Sequence, residues 1–203
     1  IDNTLYHQRI INKKPKVKAL FEDYSFMIDA LLKAYDNTLD DKYLKLATSL
    51  SFEAKEKFYK KQTWYMSNDE FESAASVYDS AYKSPLSNMI DNILRVAILN
   101  DDLDLQEIAK MSLENNSLIL ASRPSSVAWM LRTLIAYEKG YINLKATKEM
   151  LVGKPLPDHP LMLRKVNDEN TYLACKVDVC FAYSKDFSKI TGQINEVLKD
   201  NKK

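Results

Sequence analysis

The sequence predicts a mainly α fold, an array of helical hairpins forming part of an α/α toroid, with a small α/β appendage at the C-terminus. Three observations carry this expectation. Residues 19–35 hold apolar side chains on two faces at once. Leu20, Tyr24, Met27, Leu31 and Tyr35 lie along one stripe and Phe21, Ile28 and Leu32 along another, so this helix must be covered on both sides. A gapless shift of 62 positions lays Leu31-Leu-Lys-Ala onto Ile93-Leu-Arg-Val, Asp40 onto Asp102 and Leu46-Ala47 onto Ile108-Ala109. The repeating unit is a doubly apolar inner helix, an Asn/Asp-rich turn and a one-sided outer helix, and such units bury their surface by stacking on neighbours. Past Gly140 the hydrophobic period shortens to that of strands. This places a helical domain at 1–139 and an α/β segment at 140–203.

Taken in order, residues 5–11 alternate weakly and lead into a lysine-rich turn around Pro15, a short strand or extended arm. The first helix ends near Asp36-Asn37. A second starts at Asp40 or Asp41 and sets Tyr43, Leu44, Ala47, Leu50, Ala54 and Phe58 on one stripe, the pattern of an outer helix. Trp64-Tyr-Met and Phe71-Glu-Ser read as a short hairpin around Ser-Asn-Asp-Glu. Ser84 is a helix N-cap with Pro85 at the first helical position, and Leu86, Met89, Ile90, Ile93, Val96 and Ala97 make another broadly apolar helix. Asp101 to Asp104 turn the chain into a helix over 105–118, and Pro124 opens one that runs through Tyr137. In the C-terminal segment, 142–146, 161–166 and 171–177 read as strands, and 147–152 and 187–198 as helices.

Composition narrows the function classes. A chain of 203 residues, 46% hydrophobic and 28% charged, has the makings of an ordinary globular core. Its 29 basic and 28 acidic residues are interspersed and leave a net charge of +1, so neither nucleic acid nor an anionic membrane is expected as a partner. No apolar run reaches the roughly 18 residues of a spanning helix and no leader pattern precedes the arm, which predicts a cytoplasmic location. With three glycines there is no G-x-G-x-x-G or Walker-type loop. A start at Ile1, directly into a strand-like arm, suggests a piece of something longer.

Glu22 and Asp23 open the first apolar helix. Neighbours on a helix stand about 100° apart, so the two cannot oppose each other across one glycosidic bond. Either one, paired with Asp79 at the mouth of the next inner helix, could make an acid/base couple; either could equally stabilise a helix start through its dipole or a hydrogen bond. Tyr24, Trp64, Tyr65, Tyr78 and Tyr82 could stack on a sugar ring or serve as core. Cys175 and Cys180 are five apart. On one continuous strand they would lie about 16 Å from each other, beyond the ~7 Å limit for a disulfide, so buried reduced thiols are expected unless a tight turn falls at 176–179. No metal site or cofactor is expected from two cysteines and the two histidines, His7 and His159.

The segment Leu20-Phe-Glu-Asp-Tyr-Ser-Phe resembles the Leu-Glu-Asp-Tyr-Ala signature of the YyaL-like family of thioredoxin-domain-containing proteins, which includes spermatogenesis-associated homologues. Tyr78-Asp-Ser-Ala-Tyr-Lys-Ser-Pro-Leu-Ser-Asn is similar to that family's Asp-Gly-Ala-x-Pro-Ser-Gly-Asn-Ser, with Asp79, Ala81, Ser84 and Ser87 in register. Arg123-Pro-Ser-Ser resembles its Tyr-Pro-Ser-Ala, and Tyr172-Leu-Ala-Cys…Cys180 its Tyr-Val-Cys-x4-Cys. Ser80, Lys83 and Leu86 replace the family's glycine, proline and asparagine. The resemblance implies an (α/α)6 six-hairpin toroid akin to N-acylglucosamine 2-epimerases and helical glycosidases, of which this chain is the C-terminal part. It implies a carbohydrate-like ligand held by Glu22, Asp23, Tyr24, Asp79, Tyr82 and Ser84, and a partner in the missing N-terminal half or a second copy. A non-catalytic scaffold supporting a redox domain is the alternative.

Overall fold

The structure is a computed structural model that describes residues 5–69, 73–157, 159–176 and 179–200. It opens with an arm in which Tyr6 bridges Lys18, followed by α1 (Phe21–Thr38) and α2 (Asp41–Phe58). Two short strands, β1 (Tyr59–Lys60) and β2 (Thr63–Trp64), form a tight hairpin whose turn residues Lys61 and Gln62 both have positive φ, as a two-residue primed turn requires. On its far side Tyr65 bridges Ala74; Phe71 and Glu72, expected in this hairpin, lie outside the described residues. Then come α3 (Pro85–Asn100), α4 (Leu103–Glu114), the short α5 (Ser117–Ser122), a 3-10 turn (Pro124–Ser126) and α6 (Ala128–Lys139). The chain finishes with β3 (Ile142–Ala146), α7 (Lys148–Leu151), β4 (Met162–Val166), β5 (Tyr172–Lys176), β6 (Val179–Ser184) and α8 (Phe187–Asp200).

The repeat has a geometric counterpart. Leu39 and Asp101, 62 positions apart, both close a helix in the left-handed region, with φ of 50° and 54°, and Asp40 and Asp102 then cap the next one. Asp40 accepts from the Lys42 amide and Asp102 from the Leu105 amide. The helix expected over 105–118 breaks at Asn115-Asn116, whose side chains bond the Gln62 and Ser112 carbonyls, and restarts as α5. Pro124 opens only a 3-10 turn; the helix behind it begins at Ala128.

The mainly α toroid is overturned. Among the described residues eight helices are interleaved with two sheets, and the fold is an α/β mix. The larger sheet has the order β4-β3-β5-β6, with β3 parallel to β4 and the other pairs antiparallel. It packs straight onto the helices: Asn143 donates to the Ile98 carbonyl, the Tyr141 hydroxyl to Asp91, and Arg164 to the Asp36 carbonyl. Its other face carries Tyr172, which meets Phe187 of α8 edge-on at 5.4 Å. Every residue of α3 from Leu86 to Leu99 is buried. A toroid wall keeps one helix face towards a lumen; here, among the described residues, α1, α2, α4, α6 and the sheet close round α3 instead.

Candidate functional site

Three of the six residues expected at a ligand site share one open groove. Glu22 and Asp23 stand on the first turn of α1 and Tyr82 on the loop ahead of α3, around a cavity of about 680 Å3 that His7, Phe26 and Lys83 also line. Tyr82 is 58% exposed and rests edge-on against Phe26 at 5.8 Å. Asp23 is already engaged. One of its oxygens accepts the Leu20 amide at 2.8 Å, closing the open end of α1, and the same oxygen lies 2.9 Å from His7 Nδ1, which ties down the arm.

The other three lie elsewhere. Tyr24 is fully buried, donates to Glu53 at 2.6 Å and accepts from Lys57 at 2.7 Å. Burial, then the bond to Glu53, raises its pKa above the ordinary phenol value. Ser84 caps α3 by accepting the Ser87 amide at 3.0 Å. Asp79 joins two helix starts: one oxygen accepts the Ser84 amide at 2.9 Å, the other the Trp129 amide at 3.0 Å. Of the other aromatics, Trp64 is buried against Phe21 and Tyr59 and donates to Ser112, while Tyr78 is exposed.

A polar seam between α1 and α3 escapes the apolar-stripe reading. Asn88 and Asn92 both donate to the Ser25 carbonyl, and the Ser25 hydroxyl donates to the Pro85 carbonyl. Along the same interface Asp29 accepts from Lys83 at 2.7 Å and Lys33 at 2.9 Å. Burial alone would raise the Asp29 pKa, but these two ammonium groups outweigh it and hold the carboxyl below its ordinary range. Asp91 takes Tyr141 and Arg132, and Arg95 pairs with Asp36. The signal was present in the sequence: Asn88, Asp91, Asn92 and Arg95 recur at helical spacing inside an otherwise apolar segment.

The more apolar openings flank α6. One, of about 490 Å3, is lined by Leu131, Ile135, Pro160, Leu161 and Leu198. The other, of about 310 Å3, is lined by Leu113, Leu120, Leu131, Leu134 and Tyr137. Leu131 belongs to both, and Ile135 is 51% exposed. Arg132 and Lys139 edge the first groove, and Lys110, Glu114 and Glu138 the second, so the first rim is basic and the second carries both signs.

The thiols are not free. Cys175 on β5 lies opposite Cys180 on β6 and the two form a disulfide. The expected continuous strand over 171–177 ends at Lys176, which pairs with Val179, so the hairpin reverses the chain and brings the sulfurs together. Among the described residues no group of three or more His, Cys, Asp and Glu is placed to hold a metal ion, and no helix is long and apolar enough to cross a membrane.

No family model matches the chain. It is similar to the uncharacterized protein B0495.5 of Caenorhabditis elegans, with 28% identity over 144 residues, 69% of this chain. The chain spans only 19% of that relative's length.

Proposed function

We propose that this chain is a non-catalytic interaction module within a longer protein of the YyaL-like, thioredoxin-domain-containing kind, and that its α6 face docks on the remainder of that polypeptide. One observation carries the reading: the outer side of α6 presents Leu131, Leu134 and Ile135 between two apolar grooves, whereas Asp79, Asp23 and Ser84 are occupied in closing helix ends. The two rims differ in charge, Arg132 and Lys139 on one side and Glu114 and Glu138 with Lys110 on the other, which favours one orientation of whatever covers the helix. A relative about five times longer than the matched stretch supplies the precedent for such a cover. Oxidative footprinting of Leu131 and Ile135 tests this in the full-length natural protein against the present chain. Protection in the longer protein supports the reading. Equal reactivity, or protection that follows dimerisation of this chain and vanishes in Ile135→Glu, overturns it.

A second reading, a carbohydrate-like ligand in the groove at the start of α1, draws on Tyr82, Glu22 and the His7–Asp23 pair facing one space. Titration of the full-length protein with sugars and sugar phosphates, with Tyr82→Ala and Glu22→Gln alongside, decides it: binding lost in both variants supports a ligand site, and no binding to the parent protein removes it. A cytoplasmic location goes with this reading and is tested by fractionation of the natural protein.

A further inference from the structure

We infer that Cys175 and Cys180 form a thiol–disulfide exchange site for a dithiol, with Cys180 the sulfur attacked and Cys175 the sulfur released. The bridge joins two residues five apart that the β5–β6 hairpin already pairs, so it withdraws little chain entropy from the unfolded state and is a weak staple. It borders a cleft of about 300 Å3 between the α3–α4 turn and the sheet. Cys180 is exposed on the edge strand, while Cys175 is 1% exposed. An incoming thiolate therefore reaches the Cys180 sulfur.

Asn143 on β3 lies directly opposite Cys175, where facing Cβ atoms stand about 4.5–5.5 Å apart. The Asn143 amide donates to the Ile98 carbonyl, but its buried Oδ1 has no hydrogen-bond partner. A Cys175 thiol brings the S–H donor that the disulfide lacks, so reduction satisfies a polar atom that oxidation leaves orphaned. Two residues along the same face of β3, Lys145 lines the cleft and sits diagonal to Cys175, its ammonium held by a carboxylate of the same cleft. Asp101 and Asp102, from the α3–α4 turn, are the other charged groups lining the cleft, and Asp101 pairs with Lys145 at 2.8 Å.

The step balances as an exchange. The donor thiolate bonds to Cys180 Sγ as the Cys175–Cys180 bond breaks and its electron pair leaves on Cys175. The donor's second thiolate then attacks the mixed disulfide, and Cys180 departs as thiolate. The donor dithiol is oxidised to a disulfide and this chain is reduced by two electrons. In a cytoplasmic setting, where disulfides are transient and redox-linked, such a pair would cycle rather than persist.

The experiment equilibrates the oxidised chain with dithiothreitol redox buffers in native conditions, quenches with acid and counts alkylated thiols by mass, while tryptophan fluorescence reports the fold. Reduction without loss of the folded signal is expected, and Asn143→Ala should shift the equilibrium towards the disulfide by about fivefold, the worth of one hydrogen bond present only in the reduced form. In Cys175→Ser, Cys180 should react with an aromatic disulfide reagent at least about tenfold faster than Cys175 does in Cys180→Ser, following the difference in access. Reduction that occurs only in step with urea-induced unfolding, an equilibrium unmoved by Asn143→Ala, or equal reactivity of the two thiols overturns the assignment.

Discussion

Replacing Asp79 by alanine tests how far the expected site residues are committed to the fold. The carboxylate accepts two backbone amides, Ser84 at 2.9 Å and Trp129 at 3.0 Å, and so joins the start of α3 to the start of α6. A hydrogen bond to a charged group contributes about 1.5–3 kcal/mol when shielded, and the half-exposed position of Asp79 puts each bond at the low end. A negative charge at the start of α6 adds about 0.3–1 kcal/mol through the helix dipole. The bond from the Asp79 amide to the Ser126 carbonyl survives in alanine. The expected loss is about 3 kcal/mol, and about half of that for Asp79→Asn, which keeps one acceptor. Urea unfolding followed by the fluorescence of Trp64 and Trp129 should show the midpoint falling by about 1–2 M at an unchanged slope of about 2 kcal/mol/M. If Asp79→Ala unfolds within about 0.5 kcal/mol of the parent, below the usual effect of removing such a cap, the carboxylate is not holding the helices and the reasoning fails.

Other outcomes follow from the same contacts. Burial and its neighbours push Tyr35 up to about 12, from an ordinary value of 10.0, so its contribution is whole below pH 10 and lost as pH rises through the folded value. A two-unit difference amounts to roughly 2.7 kcal/mol at most, and urea midpoints between pH 9 and 12 should decline more steeply in the parent than in Tyr35→Phe. Asp29 has the opposite sign: its folded pKa lies below 3.8, so its contribution is present above that value and lost as pH falls through the folded one. Midpoints measured from pH 5 to pH 2 should flatten in Asp29→Asn. Tyr24→Phe removes the hydroxyl between Glu53 and Lys57 and should cost about 1–2 kcal/mol in thermal unfolding while leaving any sugar binding intact.

Local chemistry was the legible part of this chain. Asp40, Ser84 and Asp102 announce helix starts because a short polar side chain satisfies an amide two or three residues on, a matter settled within one turn. The end of α6 at Gly140 and strand β3 were legible too, each from the residues immediately around it. What the sequence withheld depends on partners far away along the chain. β6 was missed because its residues alternate weakly on an exposed edge, and only pairing with β5 makes them a strand. The toroid failed on the bond from Tyr141 to Asp91, 50 residues apart, and on Asn143 reaching Ile98: these place a sheet where a repeat of hairpins would put another hairpin. The doubly apolar character of α3 was read correctly as burial on more than one side, but burial does not name the covering element.

The same ambiguity governs the candidate carboxylates. An acidic residue at a helix N-terminus answers the unpaired amides of that turn, and those amides favour a ligand's anion as readily as a side chain's, so cap and site look alike in sequence. Counting acceptors separates them. Asp23 is taken by the Leu20 amide and His7, and Asp79 by two amides, so neither is at liberty to hold a substrate without releasing a helix end. Glu22 differs: among the described residues it accepts no backbone amide, and it stands half-buried on the groove wall beside Tyr82. If a ligand binds in that groove, Glu22→Gln should weaken it at little cost in stability, whereas Asp23→Asn should loosen the arm whether a ligand is present or not. That contrast between two adjacent carboxylates, one measured by affinity and the other by unfolding, distinguishes a binding groove from a helix start that merely resembles one.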